Sequence, residues 1–335
     1  MISILLPVYN AALTLPTALD SLVGQTERDW ELVAVDDRST DGSARILAAY
    51  AQRDARLRVI STPHRGLVVA LNTALAGARG RLIARMDADD MCMPERLARQ
   101  RAHLASRPDL GLVASRVHFG GNAVRGAGYK RYVEWTNRHL AHREISLARF
   151  IESPLAHPSV MFRREVAERC GAYLEGDFPE DYELWLRWLE AGVRMEKLME
   201  PLLVWHDSPT RLSRRDPRYA DHAFYRIKGG YLARWLARHN PHHPAVILWG
   251  AGRITRRRAR SLLDHGVRIQ AFVDIDPRKI GRRLHGAPVL GPEALPPAGD
   301  AFVVSYVRSA GAREAIEARL RATGYRLGVE YILAA

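Results

Sequence analysis

The sequence predicts an α/β protein: a parallel sheet flanked by helices, followed by a second, smaller α/β unit. Three observations carry this. Over residues 1–90, short apolar or β-branched runs alternate with segments of helical apolar spacing, the pattern of strands joined by crossover helices. Three of those runs stop abruptly in polar clusters, Tyr9-Asn10, Asp36-Asp37 and Asp87-Ala88-Asp89-Asp90. Asn240-Pro241-His242-His243-Pro244 then breaks the chain, and a fresh strand, glycine turn and helix follow it.

Residues 2–8 are apolar and read as the first strand. A helix is expected over 17–25 and a strand over 30–35. A second helix covers 41–50 with Asp41 as its N-cap; in the competing reading, Asp36-Asp37 opens a loop with Ser39, Thr40 and Gly42 as turn residues. A short strand at 57–60, a helix over 66–78 and a buried strand at 81–86 complete the pattern. In such sheets ligands bind beyond the carboxyl ends of the strands, where the polar clusters fall. Pro94-Glu95 is expected in the first turn of the next helix. Residues 91–215 are less regular, with an extended segment over 153–161 and a helix over 181–191. Residues 218–239 read as one long helix on which 224, 228, 231 and 235 share a face. Its apolar stripe includes Phe224, Tyr225, Tyr231, Leu232 and Trp235, with Lys228 at the edge and Arg226, Arg234 and Arg238 nearby. Two readings are open: the stripe packs against a neighbouring domain, or it lies on an anionic membrane surface. Past the break come a strand at 246–249, a Gly250-Ala251-Gly252 turn, a helix at 254–263 and a strand at 269–273 ending in Asp274. The expected domains are 1–215, a helical linker over 216–244, and 245–335.

A chain of 335 residues is long enough for about two domains. Its 47% apolar and 26% charged residues suit a globular protein, and no run approaches the ~18 apolar residues of a membrane span. The apolar start is too short, and lacks the basic flank and cleavage site, for a secretory leader. Cys92 and Cys170 form no disulfide framework and no metal-ligand spacing, which fits a reducing cytoplasm. The net charge is +13, of which +7 (15 basic, 8 acidic) lies from residue 245 onward. Such a balance suits polyanionic partners, whether nucleotide phosphates, anionic lipid or nucleic acid, and equally a merely solvated basic surface. No nucleic-acid-binding module is recognisable.

The sharpest chemical signal is Asp87-Ala88-Asp89-Asp90. Three carboxylates this close repel one another, so a hard divalent cation or a solvated exit must offset them. Both readings stand on these residues alone, and Asp36-Asp37 is equally open to being a plain loop.

Taken together, the motifs are specific. Pro7-Val8-Tyr9-Asn10, Gln25-Thr26 and Val35-Asp36-Asp37-Arg38-Ser39-Thr40-Asp41-Gly42-Ser43 resemble, in order and spacing, the opening of family 2 glycosyltransferases of the GT-A fold. Gly66, Asn72, Ala78-Arg79-Gly80 and Ala84-Arg85-Met86-Asp87-Ala88-Asp89-Asp90 with Pro94-Glu95-Arg96-Leu97 continue the resemblance. His157-Pro158-Ser159-Val160-Met161-Phe162-Arg163, Glu180-Asp181-Tyr182-Glu183-Leu184-Trp185-Leu186-Arg187 and His206, with Arg211 to Ser213, extend it to about residue 215.

The resemblance implies a hexosyl-type transferase that moves a sugar from a nucleotide-sugar, with UDP the expected nucleotide, to an acceptor hydroxyl with inversion. Pro7 and Tyr9 would border the nucleobase, Asp37 or Asp36 would hydrogen-bond it, and Arg65 would lie close to it. Asp87 would lie near ribose and diphosphate. Asp89 and His206 would bind Mn2+ or Mg2+, with Asp90 a lesser ligand, and Arg211 would contact phosphate. Asp181 would be the general base, and it also suits a helix N-terminus. The acceptor would be a glycan or lipid-linked glycan in surface polysaccharide or glycoconjugate synthesis, reached from the cytoplasm at the inner face of the membrane. The alternative is a nucleotide-sugar-binding protein without activity.

The C-terminal segment resembles a small Rossmann-like domain of the kind found beside some sugar acyltransferases. Gly250, Gly252 and Asp274 would mark a second nucleotide site. A structural or docking domain is the competing reading, and an NAD-dependent enzyme is a third.

Overall fold

The computed structural model describes residues 1–208, 211–309 and 311–335. Contacts within the chain divide it into two compact units. The first comprises Met1–Ile145, Pro154–Gly176 and Arg187–Asp216. The second comprises Ser146–Ser153, Asp177–Leu186 and Pro217–Ala335. Residues 217–244, expected as a linker, thus belong to the second unit, together with two strips from earlier in the chain.

The elements up to residue 215 run β1 (Ile2–Val8), α1 (Leu15–Val23), β2 (Trp30–Asp36), α2 (Ser43–Arg53), β3 (Leu57–Ser61), α3 (Leu67–Gly77), β4 (Leu82–Arg85), β5 (Met91–Cys92), α4 (Arg96–Ser106), β6 (Leu110–Gly120), α5 (Ala127–Thr136), α6 (His142–Ala148), β7 (Met161–Arg163), α7 (Arg164–Cys170), α8 (Glu180–Glu190), β8 (Arg194–His206) and α9 (Leu212–Arg215). The first unit is built on an eight-stranded sheet, ordered β3-β2-β1-β4-β7-β6-β8-β5. β3, β2, β1 and β4 are parallel, and β7 runs antiparallel to both neighbours. Every residue of β1 and β2 is buried, as strands covered on both faces require. α1 starts with Pro16 in its first turn and seals one face with Leu15, Leu19 and Leu22, all fully buried. Truncating any of these leucines to alanine costs about 2–5 kcal/mol.

Two motifs named above turn out to be fasteners. Gln25 donates to the Met93 carbonyl at 2.8 Å and accepts the Leu97 N–H at 3.0 Å, tying α1 to the start of α4. Arg96, fully buried, donates through Nη2 to the carbonyls of Arg85 (2.8 Å) and Val160 (3.3 Å) and through Nε to Gln100 Oε1 (3.2 Å). It fixes the end of β4, where the acidic cluster begins.

Several local expectations are corrected. Helix α2 starts at Ser43 rather than at 41, because Asp41 spends its carboxylate on the N–H groups of Ser43 and Ala12, both at 2.9 Å. Pro94-Glu95 precedes α4 instead of filling its first turn. The segment 153–161 is not extended: His157–Ser159 forms a 3-10 turn. Strands β5 to β8 lie in the region that read as irregular.

The second unit adds α10 (Asp221–His239), β9 (Ala245–Trp249), α11 (Arg253–Leu263), β10 (Arg268–Val273), β11 (Arg283–Leu284), β12 (Ala287–Leu290), β13 (Val303–Ser305), α12 (Ala312–Ala322) and β14 (Tyr331–Leu333). Its sheet order is β11-β12-β10-β9-β13-β14, parallel except for β11. The connection order reverses between β9 and β13, the switch point of a doubly wound sheet.

Candidate functional site

The carboxyl ends of β2, β1 and β4, adjacent in the sheet, carry the three polar clusters. The loops after β1 and β2 are knitted together. Asn10 and Arg38 adopt φ of 51° and 60°. Asn10 Oδ1 accepts the Thr40 N–H at 2.8 Å, Ser39 Oγ accepts the Asn10 N–H at 3.0 Å, and Ser43 Oγ accepts the Ala11 N–H at 2.9 Å. Asp37 is 3% exposed and its carboxylate organises the loop after β3. Oδ1 accepts the Arg65 N–H at 2.8 Å, and Oδ2 accepts the Gly66 N–H at 2.9 Å with His64 Nδ1 also at 2.9 Å. Asp36 Oδ1 accepts the Ser39 N–H at 3.2 Å. Both acids therefore shape the loops from which a base would be read. Pro7 is buried within β1, while the Arg65 side chain is exposed. The half-exposed Tyr9 ring stacks on His64, with centroids 4.2 Å apart and planes at 21°. That is an open aromatic platform suited to a nucleobase.

At the end of β4, Asp87, Asp89 and Asp90 each offer a carboxylate oxygen within 4.8 Å of the others. β5 pairs antiparallel with β8, matching Met91 to Val204, which brings the cluster to His206 at the end of β8. Asp90 is buried, and its Oδ1 accepts the His206 N–H at 2.8 Å. Its Oδ2 and His206 Nδ1 are buried without a hydrogen-bond partner among the described residues. A Cβ at position 120 would come within 2.8 Å of His206 Cδ2 and 2.7 Å of Val204 Cγ1, so glycine there lets the imidazole lie against β6. Arg85 pairs with Asp87, and Arg211 donates to the His206 carbonyl while stacking 3.9 Å over the Trp205 ring.

Burial, followed by repulsion from Asp87, pushes the Asp89 carboxyl above its ordinary range. Burial and then the charges of Asp87 and Asp89 push Asp90 well above it, and Arg211 partly offsets both. Orphaned buried acceptors are costly, about 1–3 kcal/mol each. A cation among the oxygens of Asp87, Asp89 and Asp90 would satisfy Asp90 Oδ2, and carboxylate oxygens fit Mn2+ or Mg2+. The His206 ring nitrogens are not grouped with these oxygens, and the histidine meets the cluster through its backbone N–H.

Asp181 lies in the second unit, in the first turn of α8, and is partly exposed. Its Oδ1 accepts the Tyr182 N–H at 2.7 Å. Its neighbours are committed: Glu180 Oε2 accepts from Tyr219 OH at 2.5 Å and Glu183 Oε1 from Tyr231 OH at 2.7 Å. Helix α10 turns its stripe inward. Tyr225, Leu232 and Trp235 are buried with Phe150, Tyr182 and Leu186, and the fully buried Lys228 donates to the carbonyls of Phe150 (2.9 Å) and Ile151 (3.2 Å). The apolar stripe is thus protein core and is not available to a membrane surface.

In the turn after β9, Gly250 has φ of 105°, and a Cβ there would meet Thr255 at 2.8 Å. Asp274, 8% exposed, accepts the Ala251 N–H at 2.9 Å and Lys279 Nζ at 3.0 Å on Oδ2, and the Asp276 N–H at 3.0 Å on Oδ1. Its carboxylate ties the turn to the next loop. Gly252 stands at the N-terminus of α11 with no side-chain cap.

His64, Arg85 and Trp205 escape a sequence reading. Arg85 had a usable signal, a cation inside an otherwise apolar strand; His64 and Trp205 had none.

Residues 3–171 match the family model described as Glycosyl transferase family 2. The chain is 30% identical over 225 residues to "Putative glycosyltransferase EpsE" of Bacillus subtilis (strain 168), covering 65% of this chain and 77% of that protein. It is 28% identical over 221 residues to "O-antigen biosynthesis glycosyltransferase WbnJ" of Escherichia coli, covering 64% and 83%. Among solved structures it is similar to S. aureus TarS 1-349 in complex with UDP-GlcNAc, with a TM-score of 0.55 and 20% identity. That match covers 70% of this chain and 66%, just under two thirds, of the other.

Proposed function

Since the chain belongs to glycosyl transferase family 2 and has its GT-A fold, we propose that it transfers one sugar from a UDP-sugar to an acceptor hydroxyl with inversion at the anomeric carbon. It is a glycosyltransferase acting on nucleotide sugars, related to enzymes of polysaccharide biosynthesis. The observation that carries the finer reading is the orphaned buried Asp90 Oδ2 among three crowded carboxylates.

In this reading Tyr9 and His64 hold the base ring, bordered by Pro7, with Asp36, Asp37 and Arg65 close to it. Asp87 faces the ribose and diphosphate. Asp89 and His206, with Asp90, would hold the divalent cation, and Arg211 meets phosphate. A bound Mn2+ or Mg2+ supplies Lewis-acid charge that offsets the leaving diphosphate. Asp181 accepts the proton of the acceptor hydroxyl as its oxygen bonds to the anomeric carbon. The bond to the diphosphate breaks in the same displacement and the nucleoside diphosphate leaves with the electron pair. The acceptor is proposed to be a glycan or lipid-linked glycan of the cell surface, glycosylated from the cytoplasmic side. Among the described residues, no helix is long and apolar enough to cross a membrane, so contact with a bilayer would fall to exposed basic residues such as Arg226, Arg234 and Arg238. The Rossmann-like module is proposed as a docking or structural domain, since Asp274 is committed to its own turn.

Thermal unfolding with UDP tests the donor site, because a ligand bound only to the folded state raises its stability. UDP with Mn2+ should raise the melting temperature more than UDP with EDTA, and Asp89→Ala should erase the difference. Equal shifts with and without metal would overturn the metal assignment. A shift with NAD instead of UDP would move the nucleotide site to Gly250 and Gly252.

A further inference from the structure

Two arginines are fully buried at the end of β4, and they behave differently. Arg96 is a structural arginine: its Nη2 and Nε reach Arg85 O, Val160 O and Gln100 Oε1. Arg85 is 2% exposed, yet its guanidinium has Asp87 as its one partner among the described residues, and its Nε is buried with no acceptor. A guanidinium carries five N–H donors, and leaving them unmet in the interior is costly. Asp87 cannot complete it, because that carboxylate also belongs to the crowded cluster with Asp89 and Asp90.

Besides the charges of Asp87 and Asp90, the Tyr173 phenol lies near the Arg85 side chain. The Arg85 backbone N–H bonds to the Val160 carbonyl at 3.1 Å, which sets the His157–Ser159 turn beside it. His157 Nε2 lies 2.9 Å from Tyr173 OH, the two rings are tilted with centroids 5.4 Å apart, and both side chains are buried. The Tyr173 backbone is clamped by Asn72, whose Nδ2 donates to Tyr173 O at 2.9 Å and whose Oδ1 accepts the Tyr173 N–H at 3.2 Å. Burial, then the Arg85 charge, hold His157 well below the usual imidazole range, so it stays neutral. The Arg85 side offers a rigid planar donor fork, a neutral imidazole and a phenol, the groups that recognise ring hydroxyls.

We propose that Arg85, backed by His157 and Tyr173, forms the subsite that reads the hydroxyls of the donor's sugar ring, and that a ring oxygen supplies the acceptor its guanidinium lacks. This rests on the nucleotide-sugar reading above. It makes Arg85 a determinant of which sugar is accepted.

The test is calorimetric binding in Mn2+ of UDP and of UDP-glucose, UDP-galactose, UDP-GlcNAc and UDP-GalNAc to wild type, Arg85→Met, Arg85→Lys and Tyr173→Phe. Wild type should bind one UDP-sugar more tightly than UDP. Arg85→Met should weaken that sugar nucleotide by about 10-fold or more relative to UDP, the loss expected for a charge-assisted hydrogen bond, since loss of the Asp87 pair bears on both ligands alike. Arg85→Lys, which keeps the charge but loses the planar fork, should also lose sugar preference. Equal weakening of UDP and UDP-sugar in Arg85→Met would reduce Arg85 to a counter-ion for Asp87 and overturn the proposal. If Arg85→Met does not fold, Tyr173→Phe decides: a loss confined to the sugar nucleotide supports the subsite, and unchanged sugar affinity refutes it. Wild type that binds UDP but gains nothing from any of the four sugars also refutes it, while the donor-site reading survives. Wild type that binds neither takes down both.

Discussion

Asp90→Asn should make the metal-free protein more stable while weakening its response to metal. The substitution keeps the shape and leaves Oδ1 to accept the His206 N–H. What it removes is one buried like charge. Oxygens of Asp87, Asp89 and Asp90 lie within 4.8 Å of one another, and two unit charges at that distance repel by about 3.5 kcal/mol at an effective dielectric of about 20. Arg85 and Arg211 offset part of this, Asp87 and Asp89 are partly hydrated, and partial protonation of Asp90 relieves more. A net gain of about 1–3 kcal/mol remains, roughly 2–10 °C in melting temperature for a domain of this size. The pH dependence has a definite sign. A carboxyl whose folded pKa is raised binds its proton more tightly in the native state. Wild type should therefore lose stability as pH climbs from about 4, the unfolded value, toward the raised one. Asp90→Asn should lack that slope. Thermal unfolding in EDTA, repeated with Mn2+ and UDP, measures both halves. A variant that melts at or below wild type in EDTA would show that the cluster is not electrostatically strained when metal-free.

Three further outcomes are expected. Asp181→Asn should keep UDP-sugar binding and lose transfer by roughly 10²-fold or more; turnover equal to wild type would leave Asp181 as a helix-terminal residue only. Burial lowers the Lys197 and Lys228 ammonium groups to about 7, so the unfolded state binds more protons between about pH 7 and 10.5, and stability should rise with pH through that window. Lys228→Met should remove up to about 1.4 kcal/mol per pH unit from that slope, and an unchanged slope in chemical denaturation would refute the assignment.

The strands at 2–8, 30–36 and 82–85 were legible because parallel strands buried on both faces spell continuous apolar runs. β8 was not, because Arg194, Glu196, Lys197, Glu200 and Pro201 interrupt it and its pairing with β6 shifts register. At the site, spacing brought out the Asp87 to Asp90 cluster, whose members are neighbours in sequence. It was silent on Asp37, whose partners Arg65 and Gly66 lie 28 and 29 residues away. The α10 stripe was read correctly as apolar, but periodicity does not say what covers a face, and Lys228 gave it a surface appearance that two backbone carbonyls explain.

The helix bearing Asp181 has a further consequence, in the order of synthesis. Phe150, Tyr182 and Leu186 share their core with Tyr225, Leu232, Trp235, Val246 and Phe302. The last of these, Phe302, is translated 112 residues after α8 ends at Glu190 (302 − 190), which takes roughly 6–22 s at typical rates of about 5–20 residues per second. During that interval Tyr182 and Leu186 are on the nascent chain without their core, an aromatic and apolar surface open to chaperones. For the same reason a chain stopped near residue 216, although it would retain every strand of the first sheet, would strand Asp181 on an unsupported helix.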